Sequence, residues 1–331
     1  MANLPIKLAC WNYDRTRALM DGSVKAEGVD MTYLNLFPAE SFRRMVKDKE
    51  FEVSELGLTF YIGTLDLKDP PFVALPIFPL RFFRHSAIYV NTEQVRTPKD
   101  LVGRNVGELF FYGHDAGLWA KGILAEEYGV PIDSVSYSVG GMDHFVPKWD
   151  WLPFEPPAKV KVRQLDPNQT LDAMLESGEI AALYSALTPP SLLKGSKKVA
   201  RLFPDYETVE RDYFRKTSIF PIMHTVVIRR DVYEKNRWLA AAITKAFKDA
   251  RDQAYQLYKV GDGLMHGMFM VPWFTAHRDE NRALLGEDPY PYGVEANRKV
   301  LDTFCRYHHE QGLSKRRYKP EELFAPETLG V

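Results

Sequence analysis

The sequence predicts a two-lobed α/β protein with a ligand cleft between the lobes. Short apolar runs alternate with amphipathic helical stretches, and this alternation predicts parallel sheets covered by helices. The chain has 331 residues, about twice the length expected of one domain. Its pattern changes near residue 97 and returns to the first kind after residue 205, so we expect one excursion into a second lobe.

The first lobe is predicted to contain residues 1–92 and, after the excursion, residues 206–331. Apolar runs predict strands and helical spacing predicts helices. In chain order we expect a strand over 6–11, a helix capped by Asp14, a strand over 29–36, a helix over 41–50, a strand over 51–58, a helix over 59–67, an apolar run over 72–80 and an extended crossing segment over 84–91.

The second lobe is predicted to span residues 93–205. Four prolines within 143–158 exclude regular structure there and predict a long loop over the surface or the cleft. The other expected elements are a short helix over 98–101, a strand over 105–110, a helix over 117–130, strands over 134–140 and 160–165, a helix over 170–180 and a strand over 181–187.

The final segment is predicted to return to the first lobe. A buried strand over 221–230 precedes a long amphipathic helix. Two mostly helical stretches follow over 260–285 and 294–312, separated by a proline-rich turn. An excursion with a return requires two linkers, and a cleft lies between lobes joined in that way.

Composition limits the class of partner. The formal net charge is −1, so there is no general attraction to nucleic acid or to an acidic membrane surface. No apolar run approaches the length of a transmembrane helix, and no secretory signal pattern is present, so we expect a cytoplasmic protein. Cys10 and Cys305 cannot form a cysteine-based zinc site. Metal ligation by His114–Asp115 or Asp143–His144 stays open without motif support.

Polar residues that follow predicted strands are the candidate site residues, because ligands in open α/β sheets bind outside the carboxyl ends of strands. Tyr13, Asp14 and Arg15 follow the first strand. Arg15 suits a bidentate contact with a carboxylate, and Asp14 suits proton transfer. The alternative is that Asp14 caps a helix and Arg15 is a solvated residue of its first turn.

Two further candidates lie in apolar strands. A carboxylate such as Glu55 is expensive to bury unless it is paired or protonated, so we expect an acid with a raised pKa or the structural partner of an arginine. His224 lies in the apolar run 220–227. It is a candidate for proton transfer, and the alternative is a core histidine with satisfied hydrogen bonds.

The densest cationic cluster contains Arg81, Arg84 and His85, next to two phenylalanines and near the predicted lobe crossing. Arginines suit carboxylates and aromatic rings suit the face of an aromatic acid, so this cluster indicates a site for such an acid. The alternative is that one arginine is a surface residue. Weaker candidates lie in the second lobe. A loop that follows one strand and could close on a ligand contains Glu108, Tyr112, His114 and Asp115, and the last strand ends in Tyr184 and Ser185.

Several stretches of the sequence carry a family resemblance: residues 11–34, 51–62, 76–91, 97–107, 219–239 and 290–328. The blocks HSAIYVN (85–91) and IMHTVVIRR (222–230) and the ending PEELFAPE (320–327) are specific. Over nearly its whole length the chain resembles the 4,5-dihydroxyphthalate decarboxylase family, whose members share the type II periplasmic-binding-protein fold.

The resemblance implies non-oxidative removal of CO₂ from a hydroxylated aromatic acid, without an organic cofactor. Such chemistry needs cations for the carboxylate that stays, a base for the phenol and a proton donor for the ring carbon. The candidate catalytic residues are Asp14, Glu55, His85 and His224, and the candidate substrate-binding residues are Tyr13, Arg15, Arg81, Arg84, Tyr112, His114, Tyr184 and Ser185.

Two segments depart from the family pattern, residues 107–117 and the tryptophan-rich residues 143–155. Both are expected to face the cleft, so a related hydroxylated aromatic or heteroaromatic acid stays open as the substrate. A second hypothesis is a non-catalytic binding protein for a small aromatic carboxylate, either exported or acting as a sensor. A third is another enzyme on the same scaffold, such as a hydrolase or an isomerase. Homo-oligomer formation is left open.

Overall fold

The computed structural model describes residues 3–260 and 269–330. Its strands form two mixed β-sheets, one for each predicted lobe. The strands are β1 (Leu4–Cys10), β2 (Val29–Asn35), β3 (Val53–Gly57), β4 (Phe72–Leu75), β5 (Ile88–Asn91), β6 (Asn105–Leu109), β7 (Ser136–Gly140), β8 (Val162–Gln164), β9 (Ala182–Tyr184), β10 (Val199–Arg201) and β11 (His224–Arg229).

Helices follow most of these strands. Short turns of 3₁₀ helix also occur, and two of them contain predicted site residues, at Asp14–Thr16 and His85–Ala87. The α-helices of the described residues are α1 (Arg17–Met20), α2 (Pro38–Arg43), α3 (Leu58–Thr64), α4 (Asp115–Tyr128), α5 (Leu171–Ser177), α6 (Pro190–Leu193), α7 (Tyr206–Thr217), α8 (Arg230–Lys235), α9 (Trp238–Val260), α10 (Phe274–Leu285) and α11 (Arg298–Glu310).

The first sheet has the strand order β2-β1-β3-β11-β4. β1 runs parallel to β2 and β3, whereas β11 runs antiparallel to β3 and β4. Every residue of β3 and nearly every residue of β11 is buried, as expected for central strands covered on both faces. A charged residue in β3 or β11 therefore needs a partner inside the protein.

The second sheet has the strand order β10-β5-β9-β6-β7-β8. β6, β7, β8 and β9 run parallel, and β5 runs antiparallel to both β9 and β10. The chain enters this sheet through β5 and leaves it after β10. The two crossings expected from the sequence are thus present.

The sheets differ from the predicted arrangement in two respects. Both are mixed rather than parallel, because the strands that follow a crossing run against their neighbours. In addition, the sequence predicts residues 88–91 in the first lobe, but they pair with β9 and β10 in the second sheet, where their backbone groups find hydrogen-bond partners. The short strand β10 and the helices α6 and α7 were not predicted.

Most other predicted elements are present. The long amphipathic helix is α9, and the predicted helix over 294–312 is the 3₁₀ turn Glu295–Asn297 followed by α11. Of the predicted helical stretch 260–285, residues 261–268 lie outside the described residues, and α10 forms the later part. The segment 143–158 contains no helix or strand, as its prolines predicted.

The N-terminal helix of the second lobe, α4, packs on elements of the first. The Trp119 indole N–H donates to the carbonyl of Ile222 at 2.7 Å, just before β11. The Gln311 side-chain amide donates to the carbonyl of Leu118 at 2.8 Å, beyond the end of α11. These buried hydrogen bonds hold the start of α4 against the edge at which β11 begins.

Two features of the described residues bear on membrane and metal binding. No helix in residues 3–260 and 269–330 combines the length and the apolar character needed to cross a bilayer. The same residues contain no group of three or more His, Cys, Asp and Glu side chains placed to hold a metal ion. Cys10 and Cys305 are both buried free thiols.

His85 is enclosed by aromatic rings. Its ring packs edge-on against Tyr128, Phe203 and Tyr213 at centroid distances of 6.0, 5.2 and 5.1 Å. Neither ring nitrogen has a hydrogen-bond partner among the described residues. Burial lowers the pKa of His85 to about 4. The residue is therefore held neutral in the folded protein at neutral pH.

We expect His85→Phe to make the protein less sensitive to acid. Below pH 6.5 the unfolded state binds a proton at His85 while the folded state does not, so this residue removes stability as the pH falls from 6.5 towards 4, by up to about 3 kcal/mol. Urea unfolding of both proteins at pH 7.5 and pH 5 measures the effect, and the pH 7.5 pair isolates the change in packing. If both proteins lost the same free energy of unfolding between pH 7.5 and pH 5, His85 would not be the buried neutral histidine described here.

Candidate active site at the strand ends

One edge of the first sheet collects the ends of three strands. β1 and β3 end there, at Cys10 and Gly57, whereas β11 begins there, at His224. His224 pairs with Gly57 in the antiparallel register, so its side chain lies diagonally beside that of Glu55 on the same face. The edge therefore brings together groups from three distant segments of sequence.

The Glu55 carboxylate is the centre of a buried hydrogen-bond network. Its Oε1 accepts from the Tyr13 hydroxyl at 2.7 Å and lies 2.6 Å from Nδ1 of His224. Its Oε2 accepts from the backbone N–H of Trp11 at 3.0 Å and from the Cys10 thiol at 3.4 Å. Both carboxylate oxygens thus have two donors, which satisfies a buried acceptor of this kind.

These donors favour the ionised form of Glu55. Burial alone raises the pKa of the carboxyl, but the hydrogen bond and charge of His224 and the donors from Trp11 and Tyr13 outweigh it and leave the pKa below its ordinary value. Burial, together with the neighbouring carboxylate, raises the pKa of the Tyr13 hydroxyl and of the Cys10 thiol. The partner of Glu55 is a histidine rather than the arginine that the sequence suggested, and its pKa is lowered rather than raised.

The His224 ring is oriented by this contact. With Nδ1 donating to Glu55, the other nitrogen, Nε2, is the one that remains for proton exchange. The ring meets Phe42 edge-on at a centroid distance of 5.0 Å, and the residue is 7% exposed. An imidazole held between a carboxylate and an aromatic ring is a suitable proton donor or acceptor.

The second lobe reaches this edge through Asp115, the first residue of α4. Its Oδ1 accepts from the backbone N–H of Thr59 at 2.9 Å and from the Thr59 hydroxyl at 3.0 Å. Gly57 makes room for the carboxylate, since a Cβ at that position would lie 2.5 Å from Asp115 Oδ2. Burial raises the pKa of Asp115, and the nearby charge of His224 opposes the rise. Asp115 thus joins the two lobes at the strand ends.

Arg84 places a buried guanidinium near Asp115. Its Nε donates to the sulfur of Met223 at 3.2 Å, and its carbon Cζ lies 5.0 Å from the centre of the Phe82 ring. Burial lowers the pKa of Arg84 to about 10, against the opposing charges of Asp115 and Glu210. Among the described residues, no carboxylate forms an ion pair with this guanidinium.

A second buried glutamate occupies the facing lobe. Glu108 in β6 forms an ion pair with Lys121 of α4, with Nζ 2.6 Å from Oε2 and 2.8 Å from Oε1. The Glu108 Oε1 also accepts from the backbone N–H of Gly113 at 2.8 Å and lies 3.3 Å from Nδ1 of His114. Burial raises the pKa of Glu108, but the charge of Lys121 and the bond to His114 outweigh it and lower the pKa.

Aromatic side chains of the irregular segment cover this region. Trp149 and Trp151 stack at a centroid distance of 4.7 Å. Trp151 stacks on Phe60 of α3 at 5.3 Å, and Trp149 stacks on Phe110 at 5.2 Å. The tryptophan-rich loop therefore contacts both lobes.

Arg15 and Asp14 border a separate cavity of about 320 Å³ on the first lobe, whose other walls come largely from α9 and α10. The Arg15 guanidinium lies between the rings of Tyr13 and Tyr290, at 4.4 and 4.6 Å. Asp14 pairs with Arg15 at 2.9 Å and accepts from the Tyr258 hydroxyl. Tyr13 links this cavity to the strand-end network, because its hydroxyl donates to the buried glutamate of β3.

Arg81 has partners in the first lobe. Its guanidinium donates to the carbonyl oxygens of Phe220 and Pro291 at 3.1 and 3.0 Å and to the side chain of Asn297. Burial lowers the pKa of Arg81 to about 10. These hydrogen bonds of Arg81 hold the chain in place near both crossings between the lobes.

The remaining predicted residues contact other parts of the second lobe. Tyr184 is fully buried at the end of β9, and the Ser185 hydroxyl donates to the carbonyl of Leu187 at 2.7 Å. The Tyr112 ring lies 3.7 Å from Nζ of Lys121. His85 lies in its aromatic enclosure. The strand-end network thus contains Tyr13, Glu55 and His224 of the predicted set, with Arg84 and His114 near Asp115.

Sequence reasoning gave too little weight to three residues of this region. The sequence does not mark Thr59, because the group that it donates to, the Asp115 carboxylate, lies in the other lobe. The sequence marks Asp115 as a loop residue and as half of a possible metal pair with His114, but not as a contact between the lobes. Lys121 interrupts an otherwise apolar helix, and a lone charge in such a helix is a signal for a buried ion pair.

Comparison with curated proteins identifies the family. The 4,5-dihydroxyphthalate decarboxylase of Comamonas testosteroni is 32% identical over 330 residues, which cover 99% of this chain and 98% of that protein. The chain belongs to the 4,5-dihydroxyphthalate decarboxylase family. The protein of the same name from Pseudomonas putida is 31% identical over 219 residues, 66% of this chain and 84% of that protein. No protein-family model matches the chain. The resemblance seen in the sequence is confirmed.

Solved structures confirm the periplasmic-binding-protein fold. A periplasmic sulfonate-binding protein, SsuA, from Methylobacillus flagellatus gives a TM-score of 0.52 at 15% identity, covering 100% of this chain and 94% of that one. The alkanesulfonate-binding SsuA of Xanthomonas axonopodis pv. citri, bound to MOPS, gives 0.51 at 13% identity, with 98% and 97% coverage. At these identities the similarity is one of fold alone.

The buried Glu108–Lys121 ion pair can be tested by measuring how stable its variants are. We expect Lys121→Met to lower the free energy of unfolding by about 3–5 kcal/mol, because it leaves the Glu108 carboxylate buried without its cation. Adding Glu108→Gln removes that charge, so the double variant is expected to be more stable than Lys121→Met alone. Urea unfolding at pH 7.5 measures all three proteins.

The control for this experiment is Lys148→Met, which breaks the exposed Lys148–Glu155 pair and is expected to change stability little. A loss in Lys121→Met no greater than in this control would show that the buried pair does not hold the second lobe together.

Proposed function

We propose that this protein decarboxylates a dihydroxyphthalate, releasing CO₂ and leaving a dihydroxybenzoate. Two relatives carry the name 4,5-dihydroxyphthalate decarboxylase, and one of them matches along 98% of its length. The observation that carries the proposal for this chain is the buried Glu55–His224 pair, which anchors an imidazole at a strand edge facing the second lobe. A carboxylate-oriented histidine is suited to deliver a proton to a ring carbon.

The proposed reaction begins with electron donation from the hydroxyl para to the leaving carboxylate. The ring carbon that carries this carboxylate takes a proton from Nε2 of the His224 imidazolium. The bond from that carbon to the carboxylate then breaks, CO₂ departs, and the electron pair returns to the ring and restores aromaticity. Glu55 stabilises the imidazolium before the transfer, because its lowered pKa keeps it ionised.

Arg84 is proposed to hold the carboxylate that stays on the ring. Its guanidinium is buried and its observed hydrogen bond goes to a weak sulfur acceptor, so a carboxylate ligand would provide a stronger partner. Burial raises the pKa of Asp115, which favours its neutral form and reduces repulsion of an anionic substrate near Arg84.

We also propose that the reaction needs no organic cofactor and takes place in the cytoplasm. The protonated ring, stabilised by its para oxygen, accepts the electron pair released when the carbon–carbon bond breaks. The side chains named above then supply the proton and the charge. The cytoplasmic location rests on the sequence pattern and remains a prediction.

The direct test is incubation of the purified protein with 4,5-dihydroxyphthalate and with a panel of related hydroxybenzoic and hydroxyphthalic acids. Release of CO₂, with a matching change in ultraviolet absorbance, is the expected result for at least one dihydroxyphthalate. Binding of one acid at micromolar concentration without any CO₂ would instead indicate the non-catalytic binding protein. Turnover of a related acid alone would keep the reaction and change the substrate.

We expect His224→Gln to lower kcat by about 10²-fold or more, the usual loss when a general acid is removed. Glutamine retains a hydrogen bond to Glu55, so the fold should be preserved and the midpoint of thermal unfolding should change little. The matched control is His144→Gln, on an exposed loop residue, which should leave kcat unchanged. Wild-type turnover by His224→Gln would rule out His224 as the proton donor.

A further inference from the structure

We propose that His114 is the base of this reaction, oriented by Glu108 in the second lobe as His224 is oriented by Glu55 in the first. The inference rests on the proposed decarboxylation. A reaction driven by a ring hydroxyl uses two proton-transfer groups, one for the oxygen and one for the carbon. The structure supplies one histidine–glutamate pair in each lobe.

The geometry of His114 leaves one ring nitrogen for a ligand. Its Nδ1 lies 3.3 Å from Oε1 of Glu108, so Nε2, on the other side of the ring, is directed away from β6. Nε2 is buried and has no hydrogen-bond partner among the described residues. A buried polar atom without a partner is uncommon in a folded protein, and here it is an acceptor suited to a substrate hydroxyl.

The position of His114 puts it at the boundary between the lobes. It directly precedes Asp115, whose carboxylate accepts two hydrogen bonds from Thr59 of the first lobe. The charges of His114 and of His224 both act on Asp115. The two histidines therefore flank the same carboxylate, from opposite lobes.

The charges around the two pairs differ. Glu108 faces His114 but is already held by the ammonium of Lys121, 2.6 Å away. Asp115, the other acid next to His114, is buried and accepts a hydrogen bond from Thr59 of the first lobe. The carboxylate that orients His114 is therefore already paired with a cation.

The surroundings of His224 favour the opposite role. Glu55 faces it, and the other donors to Glu55 are the neutral groups of Tyr13, Trp11 and Cys10. The negative charge of Glu55 is thus available to stabilise an imidazolium, which is the form that donates a proton. This difference assigns the base to His114 and the acid to His224.

The proton balance of the cycle follows from this assignment. His114 Nε2 takes the proton of the para hydroxyl, and the oxygen pushes an electron pair into the ring. The His224 imidazolium protonates the ring carbon, the carbon–carboxylate bond breaks, and CO₂ leaves. His114 then returns its proton to the phenolate of the product, and His224 takes one proton from water. One proton is consumed for each CO₂ released.

The test compares two substrates, 4,5-dihydroxyphthalate and a ring-chlorinated analogue chosen so that its hydroxyl stays ionised over the whole pH range of the assay. With the first substrate, His114→Gln is expected to lower kcat by about 10²-fold or more and to abolish the fall in kcat/KM at low pH. With the analogue, a base is no longer needed, so the ratio of wild-type to His114→Gln rates should shrink by at least about 10-fold. The same ratio for His224→Gln should not change.

The control is His144→Gln, and thermal unfolding checks that each variant is folded. If His114→Gln does not fold, the wild-type protein still decides: its kcat/KM should fall at low pH with 4,5-dihydroxyphthalate but not with the analogue. An equal loss of rate in His114→Gln with both substrates, or an unchanged low-pH fall in the wild type with the analogue, would overturn the assignment. With either of these results, turnover of 4,5-dihydroxyphthalate by the wild type would still support the proposed decarboxylation. An absence of turnover would instead contradict the decarboxylation itself.

Discussion

The antiparallel pairing of β11 with β3 is the constraint on which the rest of the site depends. It joins Glu55 to His224 across 169 residues of sequence. An ionised carboxylate inside a central strand is strongly destabilising unless hydrogen bonds and a charged partner compensate it. The returning strand supplies His224 as a hydrogen-bond partner, and residues 10, 11 and 13 supply the remaining donors. The strand pairing that completes the sheet therefore also assembles the candidate site.

The two lobes meet through close contacts at the start of α4. Gly57 admits the Asp115 carboxylate to the first lobe. Gly117, in the first turn of α4, admits Glu108, since a Cβ there would overlap the Glu108 Oε1. The Glu108–Lys121 ion pair then fixes the segment that carries His114 and Asp115. Packing of this kind keeps polar groups of both lobes at defined separations, as proton transfer between a site and its ligand requires.

The cationic cluster at residues 81–85 shows the limit of reasoning from neighbours in sequence. Arg81 is fastened to carbonyl groups of the first lobe, Arg84 lies near Asp115, and His85 is enclosed by aromatic rings. The three side chains diverge because the chain crosses between lobes at this point and turns through the 3₁₀ segment His85–Ala87. Adjacent positions in a turn point in different directions, so composition alone does not show which of them share a pocket.

The sequence by itself determined the class of fold, the family and the irregular tryptophan-rich loop, because alternation, proline content and matching blocks are local properties of a segment. It also marked Glu55 and His224 as polar residues in apolar strands. Only the tertiary structure decided that β5 belongs to the second sheet, that β11 runs antiparallel, and that these two residues are partners. Periodicity records how each segment is buried, whereas the neighbour across a sheet depends on where the chain returns from the other lobe.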